Sequence, residues 1–302
     1  TASCTGREVN AMRYEPRRQE SEPVLTGRPL GGMSCLLLAT LILCSSGCET
    51  QETRGGSHET LNAVLWTRTS AEYAASTLQA YRLAAANLDL ALADAQWTAA
   101  LEQDEGYGDL PPAVLLDLDQ TVLDTSDYNR RIVLEYGSHS RQRFAEWCEG
   151  STASVIPGAK AFLAHAIERG VTVIYISARS EALRGCTTRN LQAHGLPLER
   201  QSHLLLRDDT PATSKTRQRA RVTARHRVLL LLGDDLNDFV DGANSDLKNR
   251  RALTNEHAAR WGREWIVLPN AMYGSWQASL HGHDFSLPHE ERLDRLLQHL
   301  KH

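Results

Sequence analysis

The chain has 302 residues, of which 41% are hydrophobic and 23% charged, which suits a globular protein with room for one large domain or two small ones. A formal net charge of -4 supplies no basic footprint and argues against a nucleic-acid polymer as partner. Of the 6 cysteines, Cys4, Cys35, Cys44 and Cys48 fall early, while Cys148 and Cys186 lie in the body, either as one disulfide or as two buried thiols.

Residues 1–32 are polar and show no hydrophobic periodicity. Thr1 is not an initiator, so part of this stretch is expected to precede the true start, with Met12 and Met33 as candidates. The apolar run from Leu36 to Leu43 is too short to span a bilayer. Preceded by Arg28, it reads as the apolar region of a secretory signal peptide. It closes in Ser45-Ser46-Gly47-Cys48, which resembles a bacterial lipobox, although leucine is usual where Ser45 stands. That resemblance implies lipidation at Cys48, a membrane held through a lipid anchor and, with Glu49 next, outer-membrane or periplasmic placement. Residues 1–48 are therefore expected to be leader and signal, and the polar, glycine-containing residues 49–58 a tether.

From Glu59 to about Leu101 the pattern turns helical. Ala74, Leu78, Tyr81, Ala85, Leu88 and Leu92 recur at alternating spacings of four and three, which predicts one buried face. One long helix, or two joined by a kink, is expected. After a turn-rich break at Gly106 to Pro112, the apolar run Val114-Leu115-Leu116 ends in Asp117-Leu118-Asp119. Such a run reads as a strand buried on both faces, with its carboxyl end at a ligand site. Two carboxylates one residue apart on a regular strand point the same way. Together they need a cation or a shared proton, and an oxygen-only set favours a hard divalent metal such as Mg2+.

Arg141 to Glu149 predicts a short helix carrying Phe144 and Trp147 three apart, a pair that reads first as core. A helix from Ala159 stops at Gly170, and Val171 to Ile176 then predicts a strand ending in Ser177-Ala178-Arg179. Leu204 to Arg207 is another short strand, and Ser214-Lys215-Thr216 opens a helix. Val228 to Leu232 is the most continuous strand in the chain and ends in Gly233-Asp234-Asp235-Leu236-Asn237-Asp238. A leucine-rich strand argues that these carboxylates are buried, and buried carboxylates require a partner. Trp265 to Leu268 is a last strand, and Glu290 to Leu300 a terminal amphipathic helix. Strands alternating with helices predict an α/β fold, with a parallel sheet and helices on both faces.

The pattern Asp117-x-Asp119-x-Thr121 resembles the first motif of the haloacid-dehalogenase (HAD) phosphatases. Ser177, Lys215 and the string from Gly233 to Asp238 follow in the order of that superfamily's second, third and fourth motifs. The string from Asp117 through Asp124, with Tyr128 behind it, looks like the class C acid phosphatase branch. Pro269 to Trp276 resembles a signature of its lipoprotein e family, the bacterial surface 5′-nucleotidases. Asparagine is usual there where Ala178 stands.

The resemblance implies a Rossmann-like HAD core over residues 59–302, with a smaller helical cap subdomain drawn from about 59–102, 125–157 and 273–302. It implies a magnesium-dependent phosphomonoesterase acting on nucleoside monophosphates and other small phosphomonoesters through an aspartyl-phosphate. Asp117 would be the nucleophile, Asp119 the acid/base, and Ser177 and Lys215 the holders of the phosphoryl oxygens. Asp117, the carbonyl of Asp119 and Asp234 would hold the metal, with Asp238 behind them as a water-mediated ligand or an anchor for Lys215. Thr121, Arg179, Phe144, Trp147 and Tyr273 are the candidate substrate contacts. Two alternatives accompany it: a phosphotransferase with the same intermediate, and a haem-binding surface lipoprotein.

Overall fold

The computed structural model describes residues 58–135, 137–150, 153–207 and 215–301. The expected leader, Cys48 and all of the tether except His58 lie outside the described residues. No helix among the described residues is long and apolar enough to cross a membrane.

The helical approach is two helices, α1 (Leu61–Thr69) and α2 (Ala71–Ala93). They part at Ser70, whose backbone is extended and whose hydroxyl accepts the Tyr73 N–H at 3.1 Å, capping α2. α2 ends at Asp94, short of the expected limit near Leu101. Its buried face also differs in phase from the expected one. Tyr73, Thr77, Tyr81, Ala84, Asn87, Leu88 and Ala91 are buried, whereas Leu78 is 38% exposed. The reason lies in what the helix meets. Asn87 donates to the carbonyls of Gly262 and Arg263 at 2.8 and 3.0 Å, and Thr77 satisfies itself on the Ala74 carbonyl at 3.0 Å. Polar and small residues fill this interface, and a count of apolar positions does not register them.

The elements that follow are β1 (Pro112–Leu116), β2 (Leu123–Asp124), α3 (Ser126–Leu134), α4 (Arg141–Glu149), β3 (Ser154–Val155), α5 (Ala159–Glu168), β4 (Thr172–Ser180), α6 (Arg184–Ala193) and β5 (Leu204–Arg207). Then come α7 (Thr216–Thr223), β6 (Arg227–Gly233), α8 (Leu247–Glu256), β7 (Trp265–Val267), α9 (Ser275–Leu280) and α10 (His289–Gln298). Five strands form one parallel sheet in the order β5-β4-β1-β6-β7, so β1 is central. The expected α/β fold, with a parallel sheet covered on both faces, is the one observed. β2 and β3 pair separately and antiparallel. With two residues each, they leave no periodic trace in the sequence.

Alternation along β1 sorts the core into two layers. Val114 and Leu116 face the layer that holds Tyr81, Phe162, Leu163 and Leu191 from α2, α5 and α6. Ala113 and Leu115 face the layer that holds Val222 of α7, Phe239 and Trp265. Because both faces are covered, the only polar outlet for β1 is its carboxyl end. Pairing sets Leu116 beside Tyr175 of β4 and Leu232 of β6. Asp117, Ser177 and Asp234 therefore all fall within the next two residues of three adjacent strands. β4 also runs past its apolar stretch to Ser180, with an irregularity after Ile176 before Ser180 pairs with Arg207. Ser177 thus sits in an irregular stretch of strand and not after its last residue.

The two body cysteines are joined. Cys148 of α4 and Cys186 of α6 form a disulfide across 38 residues of sequence. Of the two readings open from sequence, the cross-link is the one found.

Candidate active site

The first motif is a tight turn grafted onto the central strand. The Asp117 N–H still donates to the Leu232 carbonyl at 2.9 Å, so this residue is held at strand register. The chain then folds back: the N–H groups of Val122 and Leu123 both donate to the Leu118 carbonyl, at 2.9 and 2.7 Å. Gln120 adopts a φ of 59°, in the left-handed region that residues with a Cβ rarely occupy. Tyr81 braces the turn from below, its buried hydroxyl donating to the Thr121 carbonyl at 2.6 Å.

Three motifs meet at the Lys215 ammonium. Lys215 stands at the start of α7, is buried, and forms ion pairs with Asp117 and, at 2.6 Å, with Asp238. Burial works to lower the Lys215 ammonium, but the two carboxylates outweigh it and hold it above its usual range. The carboxylates feel the opposite. Burial raises Asp117 to about 7 against the pull of Lys215, with Asp238 and Asp119 adding to the rise. Burial, then the charges of Asp117 and Asp238, push Asp234 well above the ordinary carboxylate range. Asp238 is raised by burial despite Lys215, and Asp235 adds to the rise.

Asp234 takes its hydrogen bonds from the Thr121 hydroxyl at 3.1 Å and the Asn270 amide at 2.8 Å. Thr121, expected to touch substrate, is instead fully buried against this carboxylate. Asp238 turns inward to accept the Asp235 N–H at 3.0 Å, closing a reciprocal cap over Leu236–Asp238. Asp235 points the other way and accepts both the N–H and hydroxyl of Ser275 at 2.6 Å, which fixes the segment carrying Tyr273. Hydrogen bonds from Ser275 and Asn237 overcome burial there and keep Asp235 below the ordinary range.

Asp119 faces a different partner. Its carboxylate accepts Arg179 Nη2 at 2.7 Å and Nε at 3.0 Å, a bidentate pair. The Arg179 side chain is 1% exposed, so it is a buried brace for Asp119 and not an open substrate contact. Ser177 is fully buried, and its hydroxyl accepts the Arg179 backbone N–H at 3.2 Å, retaining its own O–H as a donor.

The aromatic candidates are partly brought together. Phe144 is half-buried edge-on to Tyr128, with ring centroids 5.1 Å apart, and Arg179 lies 5.4 Å over its face. Trp147 is buried behind them, and its indole N–H reaches Asp127 at 3.4 Å. Tyr273 is half-buried, and its hydroxyl shares a hydrogen bond with the Thr125 hydroxyl at 2.9 Å. Tyr128, Asn270 and Thr187 join the site without having been assigned a role from sequence. Asn270 carried a usable signal, since it follows the last parallel strand at the same end as the three motif residues.

The donor set fits a hard divalent cation. Asp117, Asp234 and Asp238 each present a carboxylate oxygen, all within 4.8 Å of one another. With Asp119 they are four carboxylates facing two cations, Lys215 and Arg179, which leaves a double negative charge uncompensated. Burial and neighbouring like charges raise the Asp117, Asp234 and Asp238 carboxyls together. Gly233 is part of the same fit, because a Cβ there would overlap the Asp238 carboxylate. Gly233→Ala is therefore expected to weaken metal binding by about tenfold or more while the β6 strand survives. Calorimetric titration of the variant with magnesium checks this; an unchanged affinity would show that Asp238 is free to move.

The comparisons with known proteins agree with this geometry. The profile for HAD superfamily, subfamily IIIB (Acid phosphatase) matches residues 37–276. The structure of the class C acid phosphatase from Bacillus anthracis superposes with a TM-score of 0.71 at 30% identity, covering 79% of this chain and 95% of that one. The same enzyme with tungstate bound gives a TM-score of 0.70 at 30% identity over the same shares, 79% and 95%. With a central strand ending in paired aspartates, a lysine clasped between two motifs and a profile match over most of its length, this chain belongs to the subfamily IIIB acid phosphatases of the HAD superfamily and is a phosphomonoester hydrolase.

Proposed function

We propose that the protein is a magnesium-dependent acid phosphatase that cleaves nucleoside monophosphates and other small phosphomonoesters through an aspartyl-phosphate on Asp117. The observation that carries this reading is the contact of the Lys215 ammonium with both Asp117 and Asp238 at the end of the central strands. The Lys215 ammonium favours the ionised form of the Asp117 carboxyl, which burial disfavours, and the same ammonium can accompany charge onto a phosphoryl group.

Asp117 attacks phosphorus, an Asp117 oxygen–phosphorus bond forms, and the ester oxygen–phosphorus bond breaks. Asp119 gives its proton to the departing oxygen. Water then attacks phosphorus as Asp119 takes its proton back, and the Asp117–phosphorus bond breaks. Ser177 and Lys215 hold phosphoryl oxygens during both steps, so positioning and charge supply most of the acceleration. Asp117, Asp234 and the carbonyl of Asp119, with Asp238 behind them, would hold a divalent cation, which would supply further neutralisation of phosphoryl charge. The tungstate bound by the Bacillus anthracis relative, a tetrahedral oxyanion like phosphate, is in keeping with this site chemistry. Phe144, under the Arg179 guanidinium, and Tyr273, whose hydroxyl meets that of Thr125, would border the leaving group.

The decisive measurement is phosphate release from a panel of nucleoside 5′-monophosphates, aryl phosphates and alkyl phosphates, after chelation and re-addition of Mg2+, Mn2+ or Ca2+. Turnover restored by magnesium is expected. Release from none of the esters, with any metal, would sink the proposal.

Export and lipid anchoring at Cys48 belong to the same reading. The disulfide supports export, because such bonds persist in oxidising compartments outside the cytoplasm. Cys48→Ala is expected to move the protein from the membrane to the soluble fraction of a producing cell. Membrane association unchanged in that variant would remove the anchor.

A further inference from the structure

Arg179 holds Asp119 by two of its nitrogens, and its remaining surface is fixed by two other helices. Nη1 donates to the Thr187 hydroxyl at 3.0 Å and lies 3.7 Å from Cys148 Sγ. The guanidinium carbon sits 5.4 Å over the Phe144 ring. Phe144 and Cys148 belong to α4, whereas Thr187 follows Cys186 on α6. The disulfide bonds those two helices to each other at the level of the guanidinium. Thr187, Cys186 and Arg179 are all buried, so water does not substitute for the contacts.

We infer that the Cys148–Cys186 cross-link and Thr187 act as positioning residues for the reaction, fixing Arg179 and through it the Asp119 carboxyl against the leaving oxygen. The chain of contacts runs from a covalent bond to a planar five-donor group, then to a bidentate carboxylate. A guanidinium fixed on one edge by Thr187 presents its other edge to Asp119 in one orientation. Released from that edge, it can turn, and Asp119 turns with it.

The inference rests on Asp119 acting as the acid/base, and the test separates the two. A displaced general acid matters in proportion to how badly the leaving group needs a proton. 4-Nitrophenyl phosphate leaves as a stabilised phenolate and needs little; glycerol 2-phosphate leaves as an alkoxide and needs much. We expect Thr187→Val, and independently the double variant Cys148→Ala/Cys186→Ala, to lower kcat/KM on glycerol 2-phosphate about tenfold or more, a share of the general-acid contribution; kcat/KM is the readout because it stops at formation of the Asp117-phosphate, before the hydrolysis common to all esters. On 4-nitrophenyl phosphate the loss in kcat/KM should be under about threefold. Thr187→Ser restores the hydroxyl and should restore wild-type turnover on both. Asp119→Asn is the reference and should show the same selectivity in stronger form.

Equal losses on both esters, or none, in Thr187→Val beside a selective Asp119→Asn would overturn the inference alone. An Asp119→Asn whose loss in kcat/KM is equal on the two esters would overturn the general-acid reading and the inference with it. Thermal denaturation identifies any variant that fails to fold; should the cysteine double variant do so, Thr187→Val and its serine counterpart decide.

Discussion

Asp117→Asn is expected to lose phosphate release by a factor on the order of 10^5 and to keep its fold. An amide cannot form the acyl-phosphate bond, and no neighbouring carboxylate stands in for it. Asp119 is tied to Arg179, Asp234 to Thr121 and Asn270, and Asp238 to Lys215 and the Asp235 N–H. Stability moves differently. Burial and the nearby Asp238 and Asp119 already disfavour the ionised Asp117, despite Lys215. A neutral amide of equal size removes that repulsion and leaves Lys215 its ion pair with Asp238 at 2.6 Å. The metal-free variant should therefore melt no lower than the wild type at pH 8. Its stabilisation by added magnesium should shrink, because one of the three clustered carboxylates is gone. Phosphate assays and paired melts with and without magnesium check both halves. Residual turnover within about a hundredfold of wild type, above the loss that a missing nucleophile predicts, would require another nucleophile.

The site was legible in the sequence where a motif is local and opaque where it is assembled. Asp117, Asp234 and Lys215 could be read because each follows an apolar strand or opens a helix, and a parallel sheet brings such ends together whatever lies between. The destination of Arg179 could not, since its partner Asp119 lies 60 residues earlier and on a different strand end. Thr121 shows the same limit. Its hydroxyl crosses 113 residues of sequence to reach Asp234, and nothing in a D-x-D-x-T pattern says whether that hydroxyl serves a phosphate or a carboxylate. In the fold, β1, β4 and β6 announced themselves by near-continuous burial. α2 did not disclose its phase, because Thr77 and Asn87 sit inside and Leu78 outside. Thr77 is tolerated because it bonds the Ala74 carbonyl of its own helix, and Asn87 because it reaches the Gly262 and Arg263 carbonyls, and only the second of these is tertiary information. The disulfide lay between the two: the cysteines were visible, but only the approach of α4 to α6 pairs them.

Lys215→Met should be the most destabilising single change in the site, and its cost should depend on pH and on metal. The side chains are close in length and the stem is buried, so packing is nearly preserved. What is lost is the one ammonium that Asp117 and Asp238 share. Removing one partner of a buried ion pair costs roughly 3–5 kcal/mol, mainly because the other charge stays behind. Here two carboxylates stay behind, with Asp234 close to both. They escape by taking up protons. Asp117 is already raised to about 7 with Lys215 in place, and without the ammonium its folded value rises further.

A carboxyl raised on folding gives stability that is fully present below its unfolded value, near 3.8, and is lost as pH rises through the folded value. The variant should therefore be near wild type in melting temperature at pH 5 and far below it at pH 8. Magnesium should recover part of the loss at pH 8, since a divalent cation supplies the missing charge to the same oxygens. It should not recover turnover, because the donor that follows charge onto the phosphoryl oxygens is absent. A pH-independent loss of stability would mean that Lys215 matters for its packing and not for its charge. Turnover restored by magnesium alone would take the ammonium out of the reaction and leave it a structural counter-ion to Asp117 and Asp238.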